Sequence, residues 1–191
     1  MRKFPIFNRK EEMLINLCEF EVPTPRAVWY IKMKAAYDSA ISEMNKTKKR
    51  PQHPDPSQDW THALTRYLRD QLQEILTSSN DEVRVETSVP FKQWTYSLEL
   101  CEHMYNQGLL DRHEFLQWVL EMVEKYRKPD ADSWIAMRIV LPVVLTYAKE
   151  MCQTQTLARK MAYQCAKKIY YLVEESDAIS GNNKKDHTNN S

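Results

Sequence analysis

Glycine is almost missing from this chain: two residues in 191, Gly108 and Gly181. So few cannot build a phosphate-cradling GxxxxGK[ST] or GxGxxG loop or a GxSxG nucleophile turn, and they leave little material for tight turns and strand bulges. An excess of one charge sign is missing too. Lys plus Arg total 27 against 26 for Asp plus Glu, and the net charge of +1 gives no global electrostatic case for nucleic acid or a membrane surface. The five histidines, at positions 53, 62, 103, 113 and 187, include no i, i+4 pair and no HExxH, so no metal site is expected. Cys101 and His103, two apart on a helical pattern, face different ways. The four cysteines, Cys18, Cys101, Cys152 and Cys165, form no CxxC or other close pair and are read as buried, reduced thiols of an intracellular protein. The most apolar run, Trp134 to Ala148, is too short to span a bilayer and holds Arg138 and Pro142. Met1 to Lys10 lacks the continuous apolar core of a secretory signal, so the chain is expected to stay inside the cell. No nucleophile can be matched with a base, and no catalytic residue, cofactor or small-molecule substrate is expected.

What the chain does have is long stretches of 3.6-residue periodicity separated by proline-marked loops, with 42% hydrophobic and 28% charged residues. Those proportions suit a folded chain of one domain, all-α in class, with about seven antiparallel helices in a bundle or a short helical-repeat-like array. The stretch Gly108 to Tyr126 is the best patterned. Gly108 can take the left-handed conformation that ends a helix, Asp111 reads as the N-cap of the next with Glu114 as its capping-box partner, and Leu110 can staple on Phe115. At about 100° per residue, Phe115, Leu116, Trp118, Val119, Leu120, Met122, Val123 and Tyr126 fill one wide arc, which predicts a helix buried against two or more neighbours. His113 is read as a solvated first-turn residue.

In chain order, residues 1–7 form an apolar arm, 8–175 the helical domain and 176–191 a disordered tail. Asn8 with Glu11 predicts the N-cap of a first helix to about Phe20. Thr24 as cap and Pro25 at the first position start a second to about Asn45, with Val28, Trp29, Ile31, Ala35, Ala36, Ala40 and Ile41 as its buried side. Asp55 and Pro56 start a third, carrying Trp60, Leu64, Tyr67, Leu68, Leu72, Ile75 and Leu76 to about Thr77. A fourth begins near Pro90. A sixth from about Ser133 to Glu150 is expected to kink or break near Val140 because of Pro142. A seventh runs from about Thr154 to Glu174, with Leu157, Ala158, Met161, Ala162, Cys165, Ile169, Leu172 and Val173 on its apolar side.

Two basic sets are candidate contact points. Lys46, Lys48, Lys49 and Arg50 form a compact run in a loop, suited to an import-receptor groove or an acidic surface. Arg159, Lys160, Lys167 and Lys168 flank the apolar side of the seventh helix, where a solvated face is the plainer reading and an acidic protein or nucleic acid the alternative. No aromatic-basic alternation of the kind that stacks unpaired bases is present.

Leu17-Cys18-Glu19-Phe20-Glu21-Val22 resembles the LCEWAV signature of the family of subunit 12 of the Mediator of RNA polymerase II transcription. Phe20 and Glu21 stand where that signature has Trp and Ala. Further blocks are similar in the same order: Ile6 to Glu12, Pro23 to Ser42, Lys48-Lys49-Arg50, Asp55-Pro56, Asp59-Trp60-Thr61, Gly108 to Phe115 and Ala158 to Tyr163. The resemblance implies a nuclear, non-enzymatic scaffold of the Mediator kinase module, joining a cyclin-dependent kinase and its C-type cyclin to subunit 13 and so to core Mediator. It implies no cofactor, no small-molecule substrate and no membrane. In that family the segment that activates the kinase lies upstream of the Ile6 lead-in, so this chain, as a fragment or short paralogue, is not expected to activate a kinase alone. Phe20 and Trp29 are expected to pack the domain, and the Lys46–Arg50 loop and the seventh helix to make contacts. A nucleic-acid-binding protein using the basic seventh helix is the alternative reading.

Overall fold

A computed structural model describes residues 9–45, 55–78, 88–126 and 131–185 of the chain. They form helices α1 (Lys10–Glu19), α2 (Thr24–Asn45), α3 (Pro56–Ser78), α4 (Val89–Asn106), α5 (Arg112–Lys125), α6 (Ala131–Gln153) and α7 (Gln155–Lys185), with no strand among the described residues. The all-α class is as expected. The described residues pack as two compact units, divided between Phe115 and Leu116 inside α5.

In the first unit α3 and α4 pack together, α1 packs on both, and α2 packs on α4 and α3. Met13, Leu14, Ile31, Trp60, Leu64, Leu68, Leu72, Ile75, Trp94, Leu100 and Met104 make its dry interior. α1 is fastened to α3 at its rim, where Lys10 Nζ lies 3.0 Å from Asp59 Oδ2 and 5.4 Å from the centre of the Trp60 ring. In the second unit α6 packs on α7, with Ala136, Val140, Val143, Tyr147, Met151 and Leu157 buried. Every apolar residue of the wide α5 arc is buried, as its periodicity requires.

The junction before α5 forms largely as the residues dictate. Gly108 has φ of +69°, its N–H reaches Tyr105 O at 3.1 Å, and Leu109 N–H reaches Met104 O at 3.0 Å, the paired bonds of a Schellman ending. Asp111 Oδ1 accepts Glu114 N–H at 2.9 Å. The reciprocal half of the capping box is replaced: Asp111 N–H donates to Thr61 Oγ1 at 2.8 Å, and Glu114 Oε1 lies 3.2 Å from His62 Nε2. Asp55 Oδ1 accepts Ser57 N–H at 3.0 Å to start α3, and Ser88 Oγ accepts Phe91 N–H at 3.3 Å to start α4.

Several expectations are corrected. Arg9, not Asn8, is the N-cap of α1, its carbonyl taking the first helical bond, from Met13 N–H; its side chain, which has no acceptor, makes no cap. Thr24 does not cap α2: the Pro23 carbonyl accepts Ala27 N–H at 3.0 Å, which starts the helix one residue early and frees the Thr24 hydroxyl to donate to Glu99 Oε1 at 2.7 Å. α6 runs through Pro142 without a break. A proline costs the one bond its missing N–H would have made; its ring is exposed, and the Thr146 hydroxyl donates to its carbonyl at 3.0 Å. α7 ends at Lys185, beyond the Glu174 expected from its polar composition, because extending a formed helix costs only weak propensity terms per residue. Of the cysteines, all free, Cys18 and Cys101 are buried, whereas Cys152 and Cys165 are exposed, since they sit on the outward faces of α6 and α7. The arm at residues 1–7 lies outside the described residues.

Candidate partner-binding faces

The corner between α1 and α2 is the LCEFEV stretch. Leu17 and Cys18 face inward. The Cys18 thiol donates to Gln93 O at 3.6 Å and takes bonds from Ser97 Oγ at 3.9 Å and Gln71 Nε2 at 4.0 Å. Gln71 Nε2 also reaches the Tyr67 hydroxyl at 3.0 Å. Burial, reinforced by the bond to Cys18, pushes the Tyr67 phenol well above its ordinary value. The helix then ends on a second Schellman pair, Glu21 N–H to Cys18 O and Val22 N–H to Leu17 O, both 3.0 Å. Glu21 occupies the position that Gly108 takes at the end of α4, with φ of +44° and no glycine to relieve it. The Val22 carbonyl accepts the Tyr96 hydroxyl at 2.6 Å. Phe20, between these fixed points, is 72% exposed.

α2 is apolar on two opposite sides. Thr24, Ala27, Val28 and Ile31 are buried. On the other side Trp29, Met33, Ala36, Tyr37, Ala40, Ile41 and Met44 are all exposed, Trp29 by 55%, and at 100° per residue they cover an arc of roughly 140°. Trp29 and Phe20 were expected to pack the domain; both point outward, Trp29 because the inner side of α2 is already filled by the smaller Ala27, Val28 and Ile31, and Phe20 at the C-cap of α1. Ala36, Ala40 and Ile41, also assigned to the buried side, belong to the exposed one. Lone exposed apolar residues are unremarkable, but a contiguous stripe of them marks an interaction surface.

In the second unit Trp134, Leu141 and Leu145 share the exposed side of α6. α7 is rotated from its expected orientation: Leu157 is buried and Met161 half-buried as the pattern predicts, but most of the expected apolar side faces outward. Its buried positions are Leu157 and Gln164, while Ala162, Cys165, Ile169, Leu172 and Val173 of the expected apolar side are exposed, with Tyr163 and Tyr170 beside them. Both sides of the helix carry enough apolar groups to be buried, and periodicity alone could not choose between them.

The predicted contact cations fall as follows. Lys46, Lys48, Lys49 and Arg50 lie outside the described residues. On α7 Arg159 is exposed and Lys160, Lys167 and Lys168 are half-buried. Lys160 and Lys167, two turns apart, share a side; Arg159 lies about 100° to one side of them and Lys168 about 100° to the other. Lys167 Nζ is 3.3 Å from the Tyr163 hydroxyl and 5.4 Å from its ring centre, and Lys168 Nζ donates to Tyr126 O at 3.3 Å. The four do not converge into one basic patch. That these apolar residues face outward was missed by sequence reasoning; the signal was the distribution of apolar residues around the whole of α2 and α7, which a one-sided surface helix does not show. Among the described residues no three His, Cys, Asp or Glu side chains are grouped to hold a metal ion, and no helix is long and apolar enough to cross a membrane.

Residues 1–32 match the family model for transcription mediator complex subunit Med12. The chain is 41% identical to the human Mediator of RNA polymerase II transcription subunit 12-like protein over 184 residues, 92% of this chain and 8% of that protein. It is 39% identical to human subunit 12 over 181 residues, 88% of this chain and 8% of the relative, and 40% identical to subunit 12 of Danio rerio over 192 residues, 94% and 9% respectively. The chain thus spans less than a tenth of the length of these relatives.

Proposed function

Since this chain is homologous along about nine-tenths of its length to a segment of Mediator subunit 12, we propose that it is a non-enzymatic helical scaffold of the Mediator kinase module. In this reading it acts in the nucleus, regulating RNA polymerase II transcription through protein–protein contacts. Its partners are the module's cyclin-dependent kinase, C-type cyclin and subunit 13, and through them core Mediator.

The observation that carries the reading is the outward face of α2. A helix buried on one side and carrying Trp29, Met33, Tyr37 and Met44 exposed on the other has the form of an element between two bodies, one of which is its own unit. Trp and Tyr supply large contact area at low entropic cost and dominate the energetics of protein interfaces. The four cations of α7 that would have formed a nucleic-acid footprint diverge instead. The test is co-purification of the intact chain from nuclear extract with identification of what it retains. Kinase-module proteins should be recovered with the native chain and depleted with Trp29→Ser/Tyr37→Ser. Recovery of none of them at micromolar chain concentration, or equal recovery by the variant, overturns the reading.

A further inference from the structure

α7 carries a second outward face whose chemistry is more specific than that of α2. Tyr163, Ala166, Tyr170 and Val173 are all exposed, Tyr170 by 62%, and their spacing of three, four and three is that of the a and d positions of a coiled-coil seam. In that register Lys160 and Lys167 both fall at the e position, along one border of the seam, and Arg159 falls at the d position that opens it. The opposite border, at Ala162 and Ile169, is apolar and exposed. Glu174 falls at the next e position, so the basic border gives way to an acid at the far end of the seam, and Asp177 at the next a position closes the apolar repeat. Lys168, outside the seam, is turned to the Tyr126 carbonyl.

We propose that this face of α7 binds an amphipathic helix of a partner protein whose apolar stripe is bordered by Asp or Glu. The apolar seam selects a helix, because two helices can interdigitate side chains along a repeat of 3.5 residues. The cations along the border select the charge: acids on the incoming helix meet Lys160, Lys167 and Arg159, while a basic border is repelled. A second copy of this chain is disfavoured by the same feature, since a matching α7 would bring its own lysines to the interface. The inference gives a partner chemistry to one face of the proposed scaffold and does not use the α2 face on which that proposal rests.

The experiment uses the full chain and two synthetic helices of about three heptads, with Leu at every a and d position and either Glu or Lys at every e and g position. Binding is measured by fluorescence anisotropy. The native chain should prefer the Glu-bordered helix by about three- to fivefold, the worth of two or three partly exposed ion pairs. Lys160→Glu/Lys167→Glu should reverse that preference with unchanged helical circular dichroism, and Tyr170→Ser/Val173→Ser should abolish binding of both helices. Binding of neither helix by the native chain, or a preference that survives the charge reversal, overturns the proposal. So does concentration-dependent dimerisation lost in Tyr170→Ser/Val173→Ser, or tighter retention on anionic lipid vesicles than on the Glu-bordered helix. If the helix preference fails while kinase-module proteins still co-purify through α2, only the α7 assignment falls; the converse result removes the Mediator reading and leaves the seam.

Discussion

The Thr61 hydroxyl oxygen accepts the backbone N–H of Asp111 at 2.8 Å while donating its own proton to Ser57 O at the same distance. One fully buried side chain of α3 therefore satisfies a backbone donor at the junction before α5, the donor that a complete capping box would have served locally. Thr61→Val keeps the shape and leaves the part-buried Asp111 N–H without its acceptor. A loss of about 1–3 kcal/mol is expected, read as a lower urea midpoint at unchanged slope. A change under about 0.3 kcal/mol would mean that water replaces the hydroxyl.

The two Schellman corners make an internal control for backbone strain. Both Glu21 and Gly108 sit at positive φ, but only one is glycine. Glu21→Gly should stabilise the chain by about 0.5–1 kcal/mol, because Glu21 is exposed and loses no packing. Gly108→Ala should destabilise by about 1 kcal/mol although a Cβ there meets nothing within 4 Å, so the cost is conformational and not steric crowding. Chemical denaturation of both variants gives the signs; opposite signs are expected, and equal ones would show that the corner at Glu21 is relaxed.

Tyr96 carries the pH dependence. Burial first, then the nearby Cys18 and Glu99, push its phenol from 10.0 up to about 12. A raised acid holds its proton longer in the fold than in the unfolded chain, so native protein binds more protons between those values. Its contribution to stability is whole below pH 10 and is lost as pH rises toward 12. The urea midpoint should hold between pH 8 and 9.5 and fall above pH 10. Tyr96→Phe should be less stable at pH 8, having left Val22 O without its donor, and should show a shallower alkaline decline, with the half-buried Tyr67 supplying what remains.

What could be read from the chain beforehand divides by range. The end of α4, the cap at Asp111 and the buried arc of α5 were legible because each depends on residues within two turns. The α1 corner was not, since Glu21 in a glycine's conformation leaves no local mark. Thr61 was invisible as a cap because its partner lies fifty residues away. The apolar faces of α2 and α7 were legible as apolar and misassigned as to side: when both sides of a helix could be buried, only tertiary packing decides, and here it chose Ala27, Val28 and Ile31 over Trp29, and Leu157 and Gln164 over Ile169 and Val173. Several of the blocks that resemble Mediator subunit 12 prove to be joints of the first unit. Asp59 meets Lys10, Thr61 holds Asp111, Glu114 reaches His62, and Val22 takes the Tyr96 hydroxyl. The blocks Pro23 to Ser42 and Ala158 to Tyr163 also hold exposed residues of α2 and α7, so the resemblance runs through buried joints and outward faces alike, two kinds of position that burial separates.

That separation predicts two classes of variant. Leu68, fully buried on α3, should cost about 2–5 kcal/mol on substitution by Ala, through lost transfer energy and the cavity left behind. Phe20→Ser and Trp29→Ser remove side chains that already face solvent, and should each leave stability within about 0.5 kcal/mol while reducing capture of partner proteins. The measurement pairs thermal unfolding with pull-down on the same preparations. If the two aromatic variants unfold as readily as Leu68→Ala, the aromatics are packed in solution and the outward faces are not free; if they stay stable and capture is untouched, partners grip the chain elsewhere. Stable protein with reduced capture is the outcome expected of an exposed aromatic that a partner grips, since such a side chain adds little to the fold.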